Sequence, residues 1–177
     1  PALRGLALGA TTVARQDEYG SRLQKAVDAG SRDARVYFDG IQFSRRNGKD
    51  LDKVGVVFDK GLVAMPESVS LREAAINYWV SQGNKDKVLA VAKDGKARLP
   101  DSPDMAALVA QSNEAVGNLE QAAAQYGKLA TRYPERVDWG IRQAEVLVRV
   151  GKKADAMDVL KKLVNMRPDE PAPYLML

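Results

Sequence analysis

The chain contains neither cysteine nor histidine. No disulfide framework is possible, so the redox compartment stays open. Zinc sites draw on Cys or His in nearly every case, so a structural zinc site is excluded. A Ser-His or Cys-His nucleophilic pair is excluded as well. No apolar run reaches the roughly 18 residues of a membrane-spanning helix. No signal-peptide pattern is legible, and any targeting signal is expected outside these 177 residues. A strong charge of one sign is also missing. The 27 basic and 23 acidic side chains leave a net charge of +4. Residues 1–68 hold 11 basic and 9 acidic groups and the remainder 16 and 14, so there is no basic arm. That balance argues against an electrostatic nucleic-acid footprint. The apolar content of 45% suits an ordered chain and argues against disorder.

What the sequence does have is a ladder of prolines. Pro66, Pro100, Pro134 and Pro168 are each 34 residues apart. Pro1, Pro103 and Pro171 share that period three residues later in phase, and only Pro173 of the eight prolines lies off it. Gly83, Gly117 and Gly151 keep the same spacing. With the ladder proline at position 32, the repeating units are 35–68, 69–102, 103–136 and 137–170. A degenerate unit fills 1–34, and the start of another falls at 171–177. The lattice runs off both ends, as expected of a slice from a longer array.

Each unit reads as two helices. Ser70 with Glu73 fits a capping box, and Ser102 precedes a proline at the first helical position. The glycine near mid-unit suits a helix C-terminus. In the turn Asn47-Gly48-Lys49-Asp50 it comes one residue early. The second helix runs towards the ladder proline, which cannot continue it. In 137–170 the apolar stripes are Trp139, Ile141, Ala144, Leu147, Val148 and Val150, then Ala156, Val159, Leu160, Leu163, Val164 and Met166. In 103–136 they are Met105, Leu108, Val109 and Val116, then Leu119, Ala122, Ala123, Tyr126 and Leu129. Steps of three and four residues mark helices, and the short loops make consecutive helices antiparallel neighbours. In unit 1–34, Leu6 to Gly9 reads as part of a first helix, and Asp17 and Glu18 as the start of a second ending at Gly30.

A 34-residue helix–turn–helix unit with proline near its end resembles the tetratricopeptide repeat. The family's small residue at position 8 is met by Ala110 and Ala144, and at position 20 by Ala122 and Ala156. Ile76 and Gln42 depart from it at position 8. The aromatic of position 11 is met by Trp79, that of position 24 by Phe58 and Tyr126, and the small residue of position 27 by Gly61 and Gly95. Asn113 and Arg45 are untypical at position 11. The resemblance covers essentially the whole chain and weakens towards 1–34. It implies an all-α, right-handed α-solenoid of stacked antiparallel helix hairpins over 1–177. The named aromatics then pack between helices. The C-terminal units, with Tyr126-Gly127-Lys128-Leu129-Ala130 and Leu160-Lys161-Lys162-Leu163-Val164, look like the arrays of bacterial envelope proteins, including lipoproteins that accompany exopolysaccharide and PEP-CTERM systems. That narrower likeness favours the periplasm or envelope over the cytoplasm.

In the family, positions 2, 5, 9, 12 and 13 commonly face a concave groove. The candidate ligand-binding residues carried over are Asp39, Phe43, Arg46, Glu73, Asn77, Gln111, Glu145 and Arg149. Glu114 also falls on a groove position. The amides Asn77 and Gln111 suit the backbone of an extended peptide. The carboxylate clamp of chaperone-binding relatives is matched only by Asn77, so that mode is not expected. The carboxylates Asp101/Asp104, Asp50/Asp52 and Asp155/Asp158 fall at turns and helix starts, where they cap helices and favour the dipole. The resulting expectation is a non-catalytic scaffold that binds a protein or peptide, with no catalytic residues, cofactor, metal, nucleic acid or membrane insertion. The alternatives are an RNA-binding helical repeat or the repeat region of a larger secretion or enzyme protein.

Overall fold

The structure, a computed structural model, describes residues 13–46 and 51–176. The expected helix around Leu6 to Gly9 and the turn Asn47 to Asp50 lie outside the described residues. Those described form nine α-helices, one 3-10 turn and no strand. The helices are α1 (Val13–Asp28), α2 (Ala34–Arg46), α3 (Leu51–Ala64), α4 (Val69–Ser81), α5 (Lys85–Arg98), α6 (Pro103–Val116), α7 (Leu119–Arg132), α8 (Val137–Arg149) and α9 (Lys153–Met166). The 3-10 turn is Tyr174–Met176. Two compact units divide within α4, Pro1–Tyr78 and Trp79–Leu177.

The ladder prolines act through the residue before them. Helices α5, α7 and α9 end at Arg98, Arg132 and Met166, two residues short of Pro100, Pro134 and Pro168. Between lie Leu99 (φ −124°, ψ 62°), Tyr133 (φ −130°, ψ 69°) and Arg167 (φ −136°, ψ 73°), all outside the helical region. A proline ring clashes with a helical conformation at the preceding residue, so the chain leaves the helix there. At the mid-unit turns the backbone needs the left-handed region, with φ of +67° at Gly83, +95° at Gly117 and +81° at Gly151. The next helix starts at once. Asn84 accepts a hydrogen bond from the Lys87 amide at 3.0 Å, and Ser102 caps α6 by accepting from the Met105 amide at 3.1 Å.

Two expected helix starts shift. The cap of α4 is Ser68, not Ser70: the Ser68 hydroxyl accepts from the Leu71 amide at 3.3 Å, while Ser70 sits inside the first turn. Ser68 follows the Pro66-Glu67 turn directly, so it is the last residue outside the helix. Asp17 and Glu18 do not open a helix either. Both lie inside α1, which already includes Val13, and Glu18 pairs with Arg22 one turn on, at 2.6 Å.

In the first unit, Leu23, Val27, Tyr37, Ile41, Val54, Phe58, Leu71 and Ile76 are buried. The Phe58 and Tyr78 rings lie 5.5 Å apart. Gly61 lets α2 and α4 come close to α3, since a Cβ there would lie 2.7 Å from Leu71 and 2.9 Å from Tyr37. Arg72 is wholly buried and donates to the Pro66 carbonyl at 2.6 Å, tying α4 to the turn before it.

In the second unit the small residues Ala110, Ala122, Ala144 and Ala156 are at most 1% exposed, as close helix approach requires. Tyr126, Trp139 and Leu160 fill the space between. Each fully buried side chain of this size contributes about 1.5–3 kcal/mol. Tyr133 meets Trp139 edge-on at 5.4 Å, and the Arg136 guanidinium also covers the indole, at 4.2 Å. Val148 and Met166, expected in the core stripes, are instead 46% and 50% exposed. Both lie at the edge of their stripe, beyond the packed residues Leu147 and Leu163.

Candidate functional site

The first helices of the hairpins are α2, α4, α6 and α8. In the first unit α2 carries Asp39, Phe43 and Arg46, spaced at four and three residues and therefore on one face. The structure brings these three together around Tyr19 of α1. The Phe43 ring meets Tyr19 edge-on at 6.0 Å and lies directly against Gly20, whose missing side chain makes room for it. The Tyr19 phenol is raised above its ordinary pKa, first by burial, then by the charge of Asp39 and a hydrogen bond to it; Arg46 opposes this weakly. Phe43 is half-buried, so part of its ring remains open to a ligand. Glu73 and Asn77 lie one turn apart on α4 and are both exposed.

In the second unit the central residue is Glu114 of α6. Its side chain is only 13% exposed. One carboxylate oxygen accepts from Arg149, and the other from Arg142 at 3.3 Å. That second oxygen also accepts from the Tyr126 hydroxyl at 3.4 Å. Arg142 reaches Glu145 as well, at 2.7 Å. Arg142, Glu145 and Arg149 occupy steps of three and four along α8, so the network ties one face of α8 to α6. Gln111, three residues before Glu114 on α6, stays exposed beside it. Burial acts against the Arg142 charge, but its bond to Glu145 and the Glu114 charge outweigh that, and its pKa is raised. The Tyr126 phenol is pushed up to about 12, by burial first and the Glu114 charge second.

Two of the sequence candidates, Glu145 and Arg149, are thus gathered in one network. Asn77 and Gln111 fall in different compact units, each exposed on its own helix. Single-residue reading missed Arg142, Tyr19 and the central role of Glu114. A comparison of charges one repeat apart reveals the last: the acid at position 12 of unit 103–136 faces the arginine at position 13 of unit 137–170. Asp104 and Asp155 lie in first helical turns, where acids favour the dipole. Among the described residues, no cluster of three or more metal-ligating side chains occurs, and no helix is long and apolar enough to cross a membrane.

No family model and no curated protein matches the chain. Solved structures do. A fragment of MamA from Desulfovibrio magneticus RS-1 superposes with a TM-score of 0.63 at 15% identity, over 96% of this chain and 95% of its own. YrrB, described as a tetratricopeptide-repeat protein with an unusual peptide-binding site, gives 0.62 at 15% identity over 96% and 87%. TTC0263, a tetratricopeptide-repeat protein of Thermus thermophilus, gives 0.60 at 14% identity over 98% and 94%. At these identities the likeness concerns the fold, and the chain has the helical-hairpin fold of tetratricopeptide-repeat solenoids.

Proposed function

We propose that the chain is a non-catalytic scaffold that holds an extended peptide or protein segment against its first helices. The observation that carries this reading is the Glu114 network. It fixes Arg142, Glu145 and Arg149 in one arrangement beside the exposed Gln111, which lowers the ordering cost of binding a polar ligand. Within the first unit, Asp39, the open part of Phe43, Arg46, Glu73 and Asn77 supply a matching mixture of charge, amide and aromatic surface. YrrB, with the same fold, is described as peptide-binding, which supports a related use of this chain. The ordered set is polar and of mixed sign, which suits a peptide backbone better than a phosphate chain.

A pull-down with purified chain against envelope and cytosolic extracts tests this reading. The expected result is a bound protein whose recovery drops at least tenfold when Asn77 and Gln111 are both replaced by alanine. Undiminished capture by the double variant overturns the groove. A salt-sensitive gel shift with single-stranded RNA would favour the RNA-binding alternative. The envelope and exopolysaccharide setting is part of the proposal, supported by the likeness of the C-terminal units. Recovery of the full-length protein in the cytosolic fraction alone would count against it.

A further inference from the structure

The second helices of the second unit carry a different surface. A hollow of about 780 Å³ lies between α7 and α9 and is floored by α8 at Gly140 and Gln143. A smaller one of about 340 Å³ lies between α5 and α7 and is floored by α6 at Ala106 and Val109. The two are copies of one site. Val159, Lys162, Leu163 and Met166 wall the larger hollow, and the residues 34 positions earlier, Gln125, Lys128, Leu129 and Arg132, wall the smaller. The floors correspond by the same shift, Ala106 to Gly140 and Val109 to Gln143. A repeated groove has therefore been kept open twice in succession.

The larger hollow has the more apolar wall of the two; the smaller has Gln125 and Arg132 where the larger has Val159 and Met166, and Asp101 also lines it. Ala124, Gly127 and Ala130 keep the α7 wall of the larger hollow low, while Val159, Leu163 and Met166 make the opposite wall apolar. Lys128 and Arg132 line both hollows, and Lys162 lines the larger. Among the described residues no carboxylate pairs with any of these three cations, and none lines the larger hollow; Arg132 lies over the Tyr133 ring at 5.5 Å. The larger hollow, an apolar trough edged by unneutralised cations, complements an amphipathic helix with apolar side chains inward and carboxylates along its flanks.

We infer that this repeated trough is a second docking surface, distinct from the first-helix face, for an acidic amphipathic helix of a partner protein. The hollows are concave, which suits inserted side chains better than a flat lipid surface.

Selection of a phage-displayed random 16-residue peptide library on the whole chain tests this. The expected outcome is enrichment of acidic peptides with apolar residues at three- and four-residue steps. Their affinity, read by fluorescence anisotropy, should fall at least tenfold for Lys128→Glu/Lys162→Glu and between 50 and 300 mM salt. Ala124→Trp, a substitution at an exposed position that fills the larger hollow, should weaken them similarly and keeps the test open if charge reversal unfolds the chain. Asn77→Ala/Gln111→Ala should leave them unchanged, which separates this surface from the first-helix groove. Enrichment of no acidic amphipathic sequence overturns the inference. So does equal binding to both trough variants, or co-sedimentation with vesicles of 30% phosphatidylserine that these lysines mediate while no peptide is selected.

Discussion

At Tyr126, burial and a neighbouring charge act together. It is 1% exposed and its hydroxyl donates to Glu114. Its pKa is pushed from 10.0 up to about 12. Below pH 10 the phenol is protonated in folded and unfolded chains alike, and its contribution to stability is complete. Between pH 10 and about 12 only the unfolded chain ionises, so stability falls as pH rises through that window, by on the order of 2 kcal/mol. The informative quantity is the difference from Tyr126→Phe, in which the contributions of all other groups cancel. At pH 8 the variant should be less stable by about 0.5–1.5 kcal/mol, for one lost hydrogen bond. Near pH 11.5 the order should reverse, because the variant has no phenol to ionise. Urea unfolding at both pH values measures this, and a gap independent of pH would refute it. The packing role of Tyr126 was legible from its place in the repeat; its link to Glu114 was not, because that link depends on two arginines from the following unit. Arg72 was equally illegible. Nothing in its sequence neighbourhood marks an arginine as wholly buried, and only the fold turns it back on the Pro66 carbonyl.

At the scale of single elements, the glycines divide into two physical kinds, and the sequence distinguished them by position. Gly83 ends a helix with φ of +67°, and a side chain there would touch nothing within 4 Å. Gly83→Ala should cost roughly 1–2 kcal/mol through left-handed strain alone, and Gly83→Asn clearly less. Gly61 lies inside α3 with helical backbone, where Ala is favoured by about 1 kcal/mol in propensity. A Cβ there would however press on Leu71 and on the buried Tyr37 ring. Overpacking costs typically 1–3 kcal/mol, so Gly61→Ala should be net destabilising by about 1 kcal/mol, with Gly61→Asn worse still. Opposite responses to asparagine in thermal melts identify the two kinds; rescue by asparagine at both sites would show that Gly61 is a backbone glycine too. Helix starts were less legible than helix ends. Proline and glycine punctuate by steric exclusion at a definite residue, whereas Ser68 and Ser70 have the same chemistry and only the path of the Pro66 turn chooses between them. The edges of the core stripes failed for a related reason. Val148 and Met166 fit the helical period, but a helix buries a bounded arc, and its limits depend on the neighbouring helix.

For the whole molecule, the period of 34 residues makes a prediction that no single contact makes. In a solenoid each unit meets only its neighbours, so removing one complete period presents α5 with α8 in place of α6. The exchange matches residue by residue: Trp139 takes the place of Met105, Ala144 that of Ala110, and Val146 that of Ser112, all of them buried. Deletion of 103–136 should therefore leave a helical chain that still melts cooperatively. It should melt at a lower temperature, because the Glu114 network is lost and Trp139 is larger than the methionine it replaces. Deletion of 103–130, six residues shorter, leaves Thr131 and Arg132 of α7 and the turn before α8 appended to the turn after α5, so the link between α5 and α8 is six residues too long. Its helices then meet out of phase, and the small residues that permit close approach face large ones. Circular dichroism should find native-like helicity and a sharp transition for the first deletion, and a broad, low transition for the second. Indistinguishable melts would mean that stability comes from individual helices and not from stacking in register. The proline ladder would then be a series of helix stops whose spacing has no bearing on stability.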